Sequence, residues 1–134
     1  MVRKSSRKNV DPVKAAKFEK VAINFYEGAK LAYEFEYFNA AGVLLIHAAI
    51  ALADSVTIKR LSSTCSGDNH YEVIKLLQEA TLNDNDSGRH ILHLEKLIDH
   101  KNLVSYSGDI YTKKDIDKLI KHYERFYNWI NSLN

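Results

Sequence analysis

The most apolar segment of the chain, residues 40–60 (AAGVLLIHAAIALADSVTIKR), predicts a helix that is hydrophobic on nearly every side. Such a helix is normally enclosed by other helices. The segment nevertheless contains His47 and Asp54, which are seven residues apart and therefore face almost the same direction. Because burying an ionisable group costs free energy, each side chain needs a partner or a function. Either His47 donates a hydrogen bond to a tyrosine or carbonyl and Asp54 pairs with a lysine or arginine, or one of them lies at a cleft or dimer interface.

A first helix is predicted before this segment. Asp11 can cap it, and Pro12 suits its first turn, where a missing N–H does no harm. We expect this helix to run to about Tyr37, with an apolar face that includes Phe18, Val21, Phe25, Ala32 and Phe35. Asn39 is expected to cap the central helix, which continues to about Leu61.

Further helices are predicted after a polar stretch at residues 62–69, which we interpret as a loop. Their apolar periodicity places them at residues 69–81, 87–106 and 113–133. The last of them begins at Thr112 and Asp115, which have the spacing of a capping box. Short connections between such helices are typical of a bundle. The sequence therefore predicts an all-α, up-and-down bundle of four or five helices, as one domain over residues 11–134.

The composition is that of an ordinary globular protein. A formal net charge of +2 over 134 residues does not by itself indicate nucleic-acid binding. Residues 1–10 contain four basic side chains and little to pack, so we expect a mobile basic arm there. The single cysteine, Cys65, cannot form an intrachain disulfide, and the longest apolar run is too short to cross a bilayer. We therefore expect a cytoplasmic protein without a membrane partner.

Familiar catalytic motifs are missing from the sequence. It contains no nucleophile elbow, glycine-rich phosphate loop, CxxC pair or HExxH motif. His90, His93 and His100 lie along one side of the predicted fourth helix. His90 and His93 could share an ion, but this helix offers no third ligand near them, and no Glu-x-x-His pair suggests a di-iron centre. We interpret the histidine row as a solvated helix face and expect neither a metal nor a cofactor.

Polar side chains crowd the end of the predicted fourth helix, in residues 99–108 (DHKNLVSYSG). Lys101 and Tyr106 can present a cation and a phenol to one anionic ligand, and His100 can exchange a proton near neutral pH. Alternatively, Lys101 and His100 only face a helix C-terminus, where positive charge is favourable, and Tyr106 packs. The candidate ligand-binding residues are therefore His47, Asp54, His100, Lys101, Asn102 and Tyr106.

The order of these segments resembles the HEPN superfamily, named for higher eukaryote and prokaryote nucleotide-binding domains. The similarity covers roughly residues 15–133. It rests on the HAAIALAD helix, the KNLVSYSG segment and the TKKDIDKLIKHYERFYNWI helix. The resemblance implies an α-helical bundle that commonly dimerises, with roles in RNA cleavage, in toxin–antitoxin pairs or in binding beside nucleotidyltransferases.

Ribonuclease members of that family use an arginine followed about four to six residues later by a histidine, often with an asparagine just after the arginine. The matching positions here are Lys101, Asn102 and Tyr106, so both catalytic residue types are replaced. Lysine lacks the bidentate fork of arginine, and tyrosine titrates too high to act easily as a base at neutral pH. We therefore expect a non-catalytic homodimer that binds a nucleotide, RNA or a protein partner near Lys101 and Tyr106.

Two alternatives remain open from the sequence. One is a divergent, metal-independent ribonuclease, in which Lys101 and either His47 or His100 take the acid–base roles across the dimer. The other is an accessory module that binds a nucleotidyltransferase partner or belongs to a toxin–antitoxin system, where the polar pair only shapes an interface.

Overall fold

The computed structural model describes residues 7–65 and 69–133, and within them the chain is mostly α-helical. The helices are α1 (Ala15–Glu34), α2 (Phe38–Leu61), α3 (Tyr71–Ala80), α4 (Ser87–Asp99), α5 (Lys101–Tyr106) and α6 (Lys113–Ser132). A short antiparallel sheet pairs β1 (Arg7–Asn9) with β2 (Ser63–Cys65). The predicted helical class is therefore confirmed, and the small sheet is an addition to it.

The helix α2 lies at the centre of the fold. It packs along α1 and also contacts α3, α4, α5 and α6. Its side chains Leu45, Ile46 and Ile58 are almost completely buried. Within the described part of the chain, α2 is the one helix long and apolar enough, by composition, to cross a membrane, yet 78% of its most apolar window is buried against the rest of the protein. The prediction of an enclosed central helix is confirmed.

The helix α1 packs on α2 through small side chains. Its buried residues, Ala15, Ala22 and Ala29, recur every seven residues. Val21 and Phe35, which the sequence assigned to the apolar face of this helix, are instead 43% and 63% exposed. The assignment was wrong because alanines let two helix backbones come close, and the larger side chains are then displaced towards solvent. As a result, α1 presents apolar side chains on its outer surface.

Asn39 has a different role from the predicted helix cap. Tyr37 precedes the first turn of α2, and no side chain caps that turn. The Asn39 amide nitrogen instead donates to the carbonyl oxygens of Val104, at 3.0 Å, and Asp109, at 2.9 Å. Its side-chain oxygen accepts from the backbone N–H of Tyr111 at 2.9 Å. Asn39 therefore ties the start of α2 to α5 and to the segment that follows α5.

The sheet was not predicted from the sequence. Its strand β2 falls inside residues 62–69, which were expected to form a loop, and β1 falls inside the expected mobile arm. In addition to the strand pairing, the Arg7 guanidinium forms an ion pair with Glu79. Residues 1–6 of the predicted arm, residues 66–68 and residue 134 lie outside the described residues.

The predicted fourth helix is divided at His100 into α4 and the short helix α5. The N-terminus of α4 is close to its predicted position, although Asp86 makes no side-chain capping bond there. The capping box of Thr112 and Asp115 at the start of α6 is confirmed. So is the apolar stripe of α6, whose buried members include Ile116, Leu119, Tyr123, Phe126 and Ile130.

Close packing at Gly42 places α5 directly on α2. A Cβ atom added to Gly42 would lie 2.9 Å from Val104 Cγ2 and 3.3 Å from Ile116 Cδ1. The first of these distances is too short for carbon atoms, and the Val104 side chain is itself buried. The absence of a side chain at Gly42 is therefore what allows α5 to approach.

We expect Gly42→Ala to lower the free energy of unfolding by about 1–3 kcal/mol, because overpacking outweighs the better helix propensity of alanine. Gly88 in α4 offers a matched control, since no heavy atom lies within 4 Å of its Cβ position. Gly88→Ala should stabilise the protein by up to about 1 kcal/mol. Urea unfolding of both variants measures the two effects. A stabilised Gly42→Ala variant would contradict the close approach of α5.

Candidate functional site

His47 and Asp54 lie in one groove between α1 and α2, on the same side of α2 as their spacing predicts. The groove has a volume of about 270 Å³. Apart from Lys17, its other lining side chains are apolar: Phe18, Val21, Phe25, Ile50 and Ala51. Two titratable groups are therefore held in mostly apolar surroundings.

The His47 ring is half-buried against Phe25, with 5.7 Å between the ring centroids. Loss of solvent lowers the pKa of His47, and the positive charge of Lys101 lowers it further. The imidazole is therefore neutral at pH 7. The expected hydrogen bond to a tyrosine or carbonyl does not form within residues 7–65 and 69–133. Instead, Lys101, 54 positions later in the sequence, acts electrostatically on His47.

Asp54 is the more strongly perturbed of the two groups. Burial raises the pKa of its carboxyl to about 7, so the group is close to half-protonated at neutral pH. None of the ion pairs in the described part of the chain involves this carboxyl. Cys65 on β2 is a neighbour, because the Asp54 charge adds to burial in raising the pKa of the thiol. Asp54 can therefore exchange a proton with a ligand or solvent near neutral pH.

Lys101 lines a separate, polar cleft where α3 faces the junction of α4 and α5. The cleft has a volume of about 260 Å³. Its other lining residues are Asn69, His70, Tyr71, Ile98, Asp99 and Asn102. The Tyr71 hydroxyl donates to Asp99 at 2.6 Å, which fixes one wall. The lysine ammonium and two asparagine amides supply donors suited to an oxyanion.

The structure does not bring all the predicted ligand-binding residues together. Tyr106 is 79% exposed and does not line the Lys101 cleft. A separation of five residues turns it about 140° from Lys101 around a helix. The ring nitrogen of His100 is 2.7 Å from the Tyr111 hydroxyl and likewise outside the cleft. Lys101 and Asn102 thus share one cleft, whereas Tyr106 and His100 lie elsewhere.

Several contributors to this region were missed in the sequence. Asn69, His70 and Tyr71 precede or begin α3, about 30 residues before Lys101, and no local pattern connects the two segments. Cys65 was weighed only for disulfide formation. Its place beside Asp54 depends on β2, whose three residues carry too short a pattern to predict a strand.

We expect Asp54→Asn to stabilise the protein at about pH 8 by on the order of 2–4 kcal/mol and to have little effect at about pH 4. The reason is that the folded pKa of Asp54, about 7, exceeds its unfolded value of 3.8. Its contribution to stability is complete below the unfolded pKa and is lost as the pH rises through the folded one. Urea unfolding at both pH values measures the difference.

The exposed carboxylate of Glu95 provides the control, because Glu95→Gln removes a charge that remains in water. That variant should change stability little, and by a similar amount at both pH values. If Asp54→Asn behaves in the same way as Glu95→Gln, the carboxyl of Asp54 is not held in an apolar groove.

No family model, no curated protein and no solved structure matches this chain. What the site can do is therefore inferred from its own geometry. That geometry consists of a half-buried neutral imidazole, a carboxyl that titrates near pH 7, and a lysine that acts on the imidazole and lines a separate polar cleft.

Proposed function

We propose that this chain is a HEPN-like helical domain without ribonuclease activity, which forms a homodimer and binds a nucleotide or RNA through a phosphate at Lys101. The observation that carries the proposal is the position of Lys101, which lines the polar cleft and also acts on His47. The sequence resemblance and the mostly helical fold support the HEPN-like assignment. They are consistent with a bundle built around α2.

The chemistry of the cleft favours a phosphate ligand. A lysine ammonium binds phosphate as a compact point charge, and neighbouring amides can donate to the remaining oxygens. Asn69 and Asn102 line the same cleft as Lys101. A volume of about 260 Å³ is close to the lower end of small-molecule sites, which suits one phosphate with its sugar.

The arrangement around Lys101 favours binding without cleavage. Metal-independent cleavage of RNA needs a base and an acid near the phosphate that is attacked. Tyr106 stands at the position where ribonuclease relatives are expected to have histidine, yet it lies outside the cleft. His100 is held by the Tyr111 hydroxyl. Neither side chain can therefore serve as the partner of Lys101 within one subunit.

The exposed apolar side chains of α1 support a homodimer. Val21 and Phe25 line the His47 groove, and Val21 is 43% exposed. Farther along the helix, Leu31 is 57% exposed, and Phe35, directly after its end, is 63% exposed. Large exposed apolar areas usually mark interaction sites, and a second copy of the chain would remove these side chains from water. Such a dimer would also enclose the groove of His47 and Asp54.

One observation favours a second candidate, a divergent metal-independent ribonuclease. The neutral His47 imidazole can accept a proton, and Lys101 is near enough to lower its pKa. In this alternative, His47 removes the proton of a ribose 2′-hydroxyl, whose oxygen attacks the phosphorus as the bond to the 5′-oxygen breaks, and Lys101 donates a proton to that leaving oxygen.

We expect nucleoside monophosphates at saturating concentration to raise the melting temperature, because a ligand that favours the native state adds to its stability. Lys101→Ala should weaken their binding on the order of tenfold, since a hydrogen bond to a charged group contributes about 1.5–3 kcal/mol. Lys20→Ala, which removes an exposed lysine of α1, is the control and should leave binding unchanged. Thermal-shift titration measures all three proteins, and light scattering of the same samples should report a dimer.

Three results would contradict the proposal in different ways. Cleavage of a mixed RNA pool that is lost in both Lys101→Ala and His47→Ala would establish the ribonuclease instead. Failure of nucleotides and RNA to change the melting temperature would leave the accessory module, whose exposed α1 side chains bind a protein partner. A monomer in light scattering would remove the dimer.

A further inference from the structure

Basic side chains form two facing rows where α4 and α6 pack against each other. They recur every three or four residues, which places each row on one face of its helix. The helices are antiparallel: His90 stacks on Trp129 near one end, at 5.3 Å between centroids, and His100 approaches Asp115 near the other. We call this surface the α4–α6 basic strip, and its members are Arg89, His93 and Lys96 on α4, His100 directly after α4, and Lys118, His122 and Arg125 on α6.

A pair of histidines occupies the middle of the strip. His93 Nδ1 and His122 Nδ1 are 3.0 Å apart, and both rings are half-buried. In a hydrogen bond between two imidazole nitrogens, one donates and the other accepts, so at least one ring must be neutral. If both rings were protonated, two N–H groups would face each other and the bond would break. Both groups could then donate to an oxyanion placed between them.

The groups that act most strongly on these two rings are basic. Burial lowers the pKa of each histidine. The nearby charges that lower it further come from α4, from the residue that follows it and from α6: Arg89, His90, Lys96, His100 and Arg125. The helices α2, α3 and α5 also pack against α4 but contribute none of these groups. The pair is therefore neutral at pH 7 and surrounded by positive charge.

Among the described residues, no carboxylate contributes to the pKa shifts of His93 and His122, and the carboxylates that contact other members of the strip lie towards its ends. Asp86 lies 3.8 Å from Arg89, and Asp115 is engaged in the capping box of α6. In the part of the chain that the structure describes, Lys96 and Arg125 form no ion pair, and both are exposed. The centre of the strip thus carries permanent positive charge without an internal counterion.

An anion fits this surface better than a metal ion. Two histidines could contribute to a metal site, but the described residues contain no group of three or more histidine, cysteine or acidic side chains placed to hold a metal. The surrounding arginines and lysines would repel a cation. The same charges attract an anion, and arginine can bind phosphate with two parallel hydrogen bonds.

We propose that the α4–α6 basic strip binds the phosphodiester backbone of single-stranded nucleic acid, and that it binds most tightly when His93 and His122 are both protonated. From Arg89 to His100, directly after the end of α4, the strip extends about 16 Å, which is longer than one phosphate group. A continuous row of cations matches the regular charge of a phosphodiester chain. The inference goes beyond the proposed function, because none of these side chains lines the Lys101 cleft.

Protonation of His93 and His122 makes the affinity of the strip for phosphate depend on pH. A phosphate placed between the rings stabilises their charged forms and so raises both pKa values, which means that binding takes up protons. Affinity must then increase as the pH falls through the range in which the histidines titrate. The arginine and lysine charges do not change in that range, so weaker binding remains at neutral pH.

The test measures binding of a short single-stranded RNA and a DNA of the same sequence by fluorescence anisotropy, at about pH 5.5 and about pH 7.5. We expect tighter binding at the lower pH and similar affinity for RNA and DNA, because phosphate contacts do not read the sugar or base. Lys96→Ala/Arg125→Ala should reduce the magnitude of the slope of log affinity against log salt by about 1.4, because each phosphate contact on a single strand contributes about 0.7. His93→Gln/His122→Gln should keep the affinity at pH 7.5 and lose the increase at pH 5.5.

Matched controls separate this inference from the proposed function. Lys20→Ala/Lys75→Ala removes the same charge from exposed positions outside the strip and should leave the salt slope and pH dependence unchanged. If Lys101→Ala abolishes RNA binding while Lys96→Ala/Arg125→Ala has no effect, the Lys101 cleft binds RNA and the strip does not. Equal binding of a polyglutamate peptide, or affinity that does not increase at pH 5.5, would also overturn the proposal for the strip.

Discussion

The enclosure of α2 is the constraint on which the rest of this structure depends. A helix of 24 residues that is apolar on nearly every side must be covered all round, and five other helices share that task. Small residues make the cover possible: alanines of α1 recur every seven residues, and Gly42 lets α5 approach. Because so much apolar area is buried along one helix, its position fixes the positions of its neighbours.

The same constraint explains why the pKa values of His47 and Asp54 on α2 are shifted. Between Leu45 and Ile58 every residue of α2 is buried except His47 and Asp54, which are partly exposed in the groove beside α1. Partial burial shifts the pKa of His47 downwards and that of Asp54 upwards, which brings Asp54 close to neutral pH. Lys101 reaches this side because α5 is held against the start of α2 by Gly42 and Asn39. Groups shifted in this way are typical of functional sites.

Local patterns in the sequence were enough to predict the helices but not the contacts between them. The C-terminal end of α2 follows from apolar periodicity and the capping box of α6 from cap chemistry, and both were predicted. The outward face of α1 was missed because apolar spacing does not show which of two apolar faces is buried. The link between His47 and Lys101 was missed because it joins residues 54 positions apart. The pairing of His93 with His122 joins separate helices in the same way.

The central claim is that the enclosure of α2 places Lys101 close enough to His47 for its charge to act on the imidazole, and an NMR titration of the histidine ring protons tests it most directly. Removing the lysine charge with Lys101→Met should raise the pKa of His47 towards its usual value, while burial keeps it somewhat below that value. His93 serves as an internal reference, because Lys101 is not among the groups that shift its pKa. A His47 pKa that does not change in the variant would contradict the account.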